Sequence, residues 1–398
     1  MGFDVEAVRK QFPALSEGAA HFDGPGGSQT PQVVADAVAT TMVSALANRG
    51  QVTAAERRAD GIVLDARQAM ADLLGTDPRG IVFGRSMTQL TYDFARTLAK
   101  DWGPGDEVIV TRLDHDANIR PWVQAAEAVG ATVRWLEFDP DTSELDDIAP
   151  LLSSRTRLVA VTAASNLLGT KPDVEAIAKL VHEASALVYV DGVHLTPHSP
   201  VDARFADFYV CSPYKFFGPH CGVLSASPER LEGLRPDKLL PASDAVPERF
   251  EFGTLPYELL AGTTAAVDFL AGLGGAGDSR RERLLSSLAL LEDYEDGLRS
   301  ELETRLGEIG GVTLYGHARR RTSTVLFSVD GWDSKAVAAK LAESGVNAPA
   351  GCFYALEASR HLGLGDAGAV RAGMAPYTNQ SDIDRLVTAL DLLINSMG

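Results

Sequence analysis

The chain has 398 residues, with 36 Lys and Arg against 54 Asp and Glu, a formal net charge of −18. That length is too great for one simple core and predicts one large and one smaller domain. The acidic balance argues against nucleic acid and anionic membranes as partners, and a small anionic substrate would need a local basic pocket. The three cysteines, Cys211, Cys221 and Cys352, form no CxxC pair. A disulfide framework or thiolate metal site is therefore not expected, and a cytoplasmic location is. No run is long and apolar enough to span a bilayer, and Met1 to Gln11 reads as charged, without the apolar core of a signal peptide.

Thr30-Pro31 reads as a helix start, with a periodic stretch to about Ala47. A second helix spans about Ala54 to Leu74 and stops at Gly75. Seven short apolar runs follow: Ile81-Phe83, Val108-Val110, Val133-Leu136, Leu158-Val161, Leu187-Val190, Phe208-Cys211 and Gly222-Leu224. Several are apolar at successive positions, as strands covered on both faces would be. Helical patterns such as Asp173-Ala184 lie between them. The alternation predicts an α/β fold with a mostly parallel seven-stranded sheet. After Leu260 the texture changes. A Gly-rich patch, Gly272 to Gly277, precedes a helix from about Arg280 to Leu306, apolar runs at Val312-Leu314 and Thr324-Val329, and helices at Lys335-Glu343 and Asp382-Ile394. The expected division is a large domain over residues 20–260 and a small α+β domain over 261–398, with residues 1–19 packed on the latter.

Ligands of such sheets sit beyond the carboxyl ends of the strands, so the residues after each apolar run carry the functional reading. Leu187-Val190 ends in Asp191-Gly192-Val193-His194. A carboxylate there needs a partner; a cap or structural ion pair is the plain explanation. The next strand ends in Cys211-Ser212-Pro213-Tyr214-Lys215-Phe216-Phe217. A lysine in an apolar setting has a depressed pKa, and the free amine attacks aldehydes. Asp191 and Lys215, at the ends of successive strands, can hold the pyridinium nitrogen and aldehyde carbon of pyridoxal-5′-phosphate (PLP), the Asp keeping the ring an electron sink. After Ile81-Phe83 the chain reads Gly84-Arg85-Ser86-Met87-Thr88-Gln89 and enters a helix. The free N–H groups of that first turn, at Met87 and Thr88, make an anion site for a phosphate.

Taken in order, these segments resemble the class V aminotransferase superfamily of fold-type I PLP enzymes, nearest the cysteine desulfurase and selenocysteine lyase branch. The resemblance covers nearly the whole chain. Leu113-Asp114-His115-Asp116-Ala117-Asn118-Ile119-Arg120-Pro121-Trp122 is similar to "EHHANIVPW", which implies that His115 stacks on the PLP ring. Ser165-Asn166-Leu167-Leu168-Gly169-Thr170 is similar to "SNVLGT" and puts Asn166 near the phenolic oxygen. Asp191 to His194 resembles "DGAQ", and Ser212 to Lys215 resembles "SGHK", implying phosphate contacts from Ser212 and Tyr214 and a Schiff base on Lys215. Arg249 to Thr254 resembles "RFEAGT", whose Gly-Thr, here Gly253 and Thr254, reaches the phosphate of the other subunit in a homodimer. Arg371-Ala372-Gly373 resembles "RAS" and implies a carboxylate grip by Arg371.

Three segments depart from that pattern. His194 stands where desulfurases carry Gln; it can donate to the phenolic oxygen and titrate near neutral pH. In the sulfur-accepting loop, "RTGHHCA" faces Pro349 to Ala355, so Tyr354 takes the position of the nucleophilic cysteine and Cys352 lies two residues earlier. Nothing in the sequence activates that thiol. Near the N-terminus, Phe22 to Gln29 carries extra glycines, and Gly26 is expected beside the substrate; Asn48 and Arg49 resemble an active-site "HRG". The implied function is a PLP enzyme acting on a small amino acid, a desulfurase-like C–S lyase without a persulfide cysteine. The alternatives are an aminotransferase or epimerase on the same scaffold, or a silent binding protein. In the catalytic reading Lys215, Asp191 and His115 do the chemistry.

Overall fold

The computed structural model describes residues 3–395. Residues 1–2 and 396–398, which belong to the expected domain ranges and to the N-terminal segment, lie outside the described residues. Seven strands form the central sheet: β1 (Ile81–Gly84), β2 (Glu107–Thr111), β3 (Thr132–Leu136), β4 (Thr156–Thr162), β5 (Leu187–Asp191), β6 (Phe208–Cys211) and β7 (Gly222–Ser225). Their spatial order is β1-β7-β6-β5-β4-β2-β3. Only β7 runs against its neighbours, pairing antiparallel with both β1 and β6. The carboxyl ends of the other six therefore share one edge.

Burial on both faces explains the continuous apolar runs. Val159, Val161, Val188 and Val190 pack into a core with the helix Ala54–Leu74 and the helix Tyr257–Ala271. Their neighbours Leu158, Ala160 and Tyr189 point the other way, into a core with the helices Met87–Leu98 and Arg120–Val129. Each such side chain contributes about 1.5–3 kcal/mol relative to exposure. No helix among the described residues is long and apolar enough to cross a membrane.

A second, antiparallel sheet joins Val312–Tyr315, Thr324–Val329, Ala369–Gly373 and Ala350–Gly351, with Ala369–Gly373 between Thr324–Val329 and Ala350–Gly351. The fold is thus α/β: a mostly parallel seven-stranded sheet plus a small antiparallel C-terminal sheet. The strand Ala369–Gly373 has no counterpart among the apolar runs of the sequence, because an arginine sits at its centre between small residues.

Local chemistry sets the element ends. Thr53 and Glu56 form a reciprocal capping box at the start of Ala54–Leu74, and Gly75 ends that helix at φ 73°. The first long helix is Gln32–Met42, shorter than the periodicity to Ala47 suggests. Pro31 is extended and takes the cap position itself. At the other end Ser44 Oγ turns back to the Thr41 carbonyl at 2.8 Å, competing with the helical ladder.

The helix Met87–Leu98 begins beside β7, where Gly222 allows the two backbones to touch. A Cβ at Gly222 would lie 2.2 Å from the Ser86 carbonyl carbon and 2.5 Å from the Met87 nitrogen. Gly222→Ala is therefore expected to destabilise the protein by about 1–3 kcal/mol as an overpacking substitution. Urea unfolding of the variant should show a lower midpoint; an unchanged midpoint would mean that the helix start is free to move.

Candidate active site

The carboxyl edge of the large sheet and one end of the small sheet enclose a cavity of about 650 Å³. Met87, Thr88, His115, Asn166, Asp191, His194, Ser212, Tyr214, Lys215, Gly26 and Arg371 all line it. Seven stretches of chain, distant in sequence, thus meet at one place. Gly253, Thr254, Asn48 and Arg49 lie outside this lining within one chain. Gly253 and Thr254 are exposed, and the Arg49 guanidinium pairs with Asp60 at 2.8 Å and Glu248 at 3.0 Å.

Lys215 sits on the 3-10 turn Pro213–Phe216 directly after β6. Phe216 and Phe217 are fully buried and anchor the turn. Phe217 takes φ 72°, and its N–H donates to Ser28 Oγ at 2.9 Å. The Lys215 amine donates to the Pro25 carbonyl. Burial, and then the Arg371 guanidinium, lower its pKa to about 7, while Asp191 acts the other way. A substantial share of this amine is uncharged and nucleophilic at neutral pH.

Asp191 ends β5, level with Thr162 on one side and Val210 on the other. Its Oδ1 accepts the Val193 N–H at 2.9 Å, and Oδ2 has no protein hydrogen bond among the described residues. Burial raises its pKa to about 6, against that N–H and Lys215. His115 Nδ1 accepts the Ala117 N–H at 3.0 Å, which places the ring proton on Nε2. Burial, Lys215 and Arg371 together lower its pKa to about 4, so the ring is neutral.

His194 differs from the expectation of a group titrating near neutral pH. It is buried, and burial first, with His198, Arg371 and Lys215 adding to it, holds its pKa well below the usual value. Its Nε2 lies 3.0 Å from both Thr322 Oγ1 and Thr324 Oγ1. Its Nδ1 has no protein partner among the described residues.

Arg371 is buried at the centre of its strand. Its Nη1 donates to the Asn166 carbonyl at 2.7 Å, its guanidinium lies 3.7 Å from the Phe353 ring centroid, and its Nε has no partner. Burial lowers its pKa to about 9. No carboxylate pairs with it among the described residues, an unusual state for a buried cation. Asn166 Nδ2 donates to the Phe353 carbonyl at 2.9 Å, leaving its Oδ1 buried and unpartnered.

Residues to which the sequence reading gave no binding or catalytic role complete the site. Asp114, beside His115, is fully buried and receives hydrogen bonds from Thr111 Oγ1, from Asn118 Nδ2 at 2.7 Å and from the Thr162 N–H at 3.0 Å. Burial nevertheless raises its pKa to about 8. It ties the ends of β2 and β4 together under the His115 loop. Its position in the His115 motif was the available signal. Tyr92, Asp116, Arg120, Phe353 and Tyr354 also line the cavity. Phe353 and Tyr354 have φ of 52° and 59°, and the Tyr354 ring stacks on His115 at 5.5 Å between centroids. Cys352 is free and does not line the cavity.

This donor set fits PLP. The unpaired Asp191 oxygen suits a pyridinium N–H, the low-pKa Lys215 amine suits the aldehyde, and the buried, unpartnered Asn166 Oδ1 suits a polar ring substituent. The first-turn N–H groups of Met87–Leu98, with Thr88 and Ser212 beside them, suit the phosphate.

The comparisons agree. The model of the aminotransferase class-V family matches residues 20–386, and the chain belongs to that family. An uncharacterized protein of Mycobacterium tuberculosis (strain CDC 1551 / Oshkosh) is 36% identical over 404 residues, covering 98% of this chain and 99% of the relative. The crystal structure of the Escherichia coli cysteine desulfurase CsdA, in an S-sulfonic acid form, superposes with a TM-score of 0.87 at 28% identity, covering 100% of both chains. An apo cysteine desulfurase from Thermococcus onnurineus NA1 gives 0.90 at 26% identity, covering 100% of this chain and 99% of that one.

The lowered Lys215 pKa has a direct consequence. Uptake of PLP by the apoenzyme should accelerate as pH rises through about 7, where the amine loses its proton, rather than near the ordinary lysine value. Arg371→Gln removes a cation that disfavours the ammonium, so the midpoint should move to higher pH. Stopped-flow absorbance across a pH series measures this, and a midpoint unmoved by the substitution would contradict the assigned coupling.

Proposed function

We propose that this protein binds PLP on Lys215 and cleaves a C–S bond in a cysteine-derived amino acid by elimination, without a protein persulfide. The observation that carries this reading is one cavity with three features. It holds the Lys215 amine and a buried Arg371 without a carboxylate partner, and Tyr354 rather than a thiol stands at its mouth. When bound, PLP supplies an aldehyde that condenses with amines and a ring that accepts the electron pair left at an amino acid's Cα.

The chain's own residues do the rest. Arg371 grips the substrate carboxylate, its Nη groups and Nε supplying paired donors. That contact orients Cα toward Lys215, whose Nζ takes the Cα proton. With PLP bound, Asp191 would keep the pyridine nitrogen protonated, and neutral His115 would stack on the ring. His194, Asn166, Ser212, Tyr214, Met87 and Thr88 hold the remaining cofactor groups, and Gly26 borders the substrate. The Cβ–S bond then breaks with departure of the thiol, and the released enamine takes up water to give a 2-keto acid and ammonia. Cys352 lies off the cavity and has no part in this scheme.

The active unit in this reading is a homodimer, with Gly253 and Thr254, and Asn48 and Arg49, facing the neighbouring subunit's site. Two features support it. Met42 and Val43 are 69% and 87% exposed, and Val38 and Met42 line a cleft that continues to Gly26 and Tyr214.

The decisive experiment is an amino-acid panel scored for keto acid, sulfide or thiol, and ammonia. Lys215→Ala should lose turnover and also lose borohydride fixation of the cofactor. Cys352→Ser should keep turnover close to wild type. Loss of activity in Cys352→Ser, with a persulfide on Cys352 by mass spectrometry, would restore a desulfurase with a shifted nucleophile. Amino-group transfer to a keto acid with no sulfur compound consumed would make the protein an aminotransferase.

Sedimentation velocity of the PLP-loaded protein should report a dimer; an active monomer would remove the cross-subunit roles.

A further inference from the structure

A second, polar cavity of about 370 Å³ lies next to the wall that carries His194. Four stretches of chain converge on it. They are Lys171 ahead of the helix Val174–Glu183, the Leu195–Pro200 loop after β5, the helix Arg280–Gly307 through Glu292 and Asp296, and the consecutive residues Arg319, Arg320 and Arg321 leading into Thr324–Val329. The chain as a whole carries −18, so a run of three arginines at a concave site calls for an account.

Most charges around the cavity cancel. Glu292 receives Lys171 Nζ and, at 2.9 Å, Ser199 Oγ. Asp296 and Glu303 are matched by Arg299, at 3.0 and 2.8 Å, and by Arg321 on Glu303. Arg319 and Arg320 are left over: neither guanidinium has a hydrogen-bond or ion-pair partner among the described residues. Glu144, which does not line the cavity, accepts the Arg319 backbone N–H at 2.8 Å.

Arg321 supplies an independent observation. Its side chain is 4% exposed, yet its Nε is buried without a partner. An unsatisfied buried donor costs about 1–3 kcal/mol, and a ligand oxygen would satisfy it.

We propose that this cavity is an anion site for a small phosphate-bearing molecule. Arg319 and Arg320 supply the unbalanced charge and Arg321 Nε supplies the buried donor. Guanidinium groups suit phosphate through paired, charge-assisted hydrogen bonds. The site is joined to the substrate cavity through one residue: Thr322, next to Arg321, holds His194 Nε2 at 3.0 Å. A ligand here spans a large-domain loop, the connecting helix and the small domain, and stabilises that junction by binding the folded state alone.

The test uses the PLP-loaded protein, so that the cofactor's own phosphate cradle is filled, and inorganic pyrophosphate as the probe. Titration calorimetry should show saturable binding by the wild type, and R319A/R320A should weaken it by about tenfold or more, since charge-assisted contacts are lost. Both arginines are exposed, so the variant is expected to fold. Pyrophosphate should raise the unfolding temperature of the wild type and leave that of R319A/R320A unchanged. Binding of equal strength in the double variant, or no saturable binding by the wild type at millimolar pyrophosphate, overturns the proposal.

Discussion

The site depends on two cations buried at one cavity. Lys215 follows a strand of the large sheet and Arg371 lies in the small sheet, and each is disfavoured as an ion by burial. The two respond differently. An ammonium can lose its proton, and Lys215 moves to about 7. A guanidinium lowered only to about 9 stays charged at neutral pH. The repulsion therefore falls on the lysine and frees its amine for reaction. Asp191, raised to about 6 by burial, remains mostly ionised at neutral pH and favours the Lys215 ammonium. The uncharged amine and the unpaired guanidinium are two results of the same electrostatic arrangement.

That arrangement depends on close contact between the loops of the large sheet and the small sheet. Thr170 and Arg321 form a β-bridge across that contact. His194, after β5, is fastened by Thr322 and Thr324 at the start of the small sheet's strand Thr324–Val329. The Phe353 ring covers Arg371 while its carbonyl accepts from Asn166, and Tyr354 stacks on His115. The left-handed backbone at Phe353 and Tyr354 places two bulky side chains where such residues rarely occur. Backbone strain of this kind persists when surrounding contacts over-determine it, and here both rings contact groups of the candidate site. Phe353 lies against Arg371 and Tyr354 against His115, so the two rings border the cavity.

The sequence by itself determined the large sheet. Its seven apolar runs became seven strands, because burial on both faces demands continuous apolar residues and leaves little ambiguity. It also marked Lys215, Asp191, His115 and Asn166, since each follows a strand or begins a loop at the carboxyl edge. Gly75 marked a helix end through its backbone alone.

Only tertiary structure decided the rest. The strand through Arg371 is invisible to an apolar pattern, because its charge is tolerated by a distant carbonyl and a ring rather than by neighbours in sequence. His194 reads as a neutral-pH titrating group from its type, and two threonines some 130 positions later, with full burial, decide otherwise. Asp114 reads as one acid in an acidic chain until the ends of β2 and β4 close over it. Periodicity reports how each segment meets water; protonation and pairing depend on which segments meet one another, and that is fixed by packing over long sequence separations.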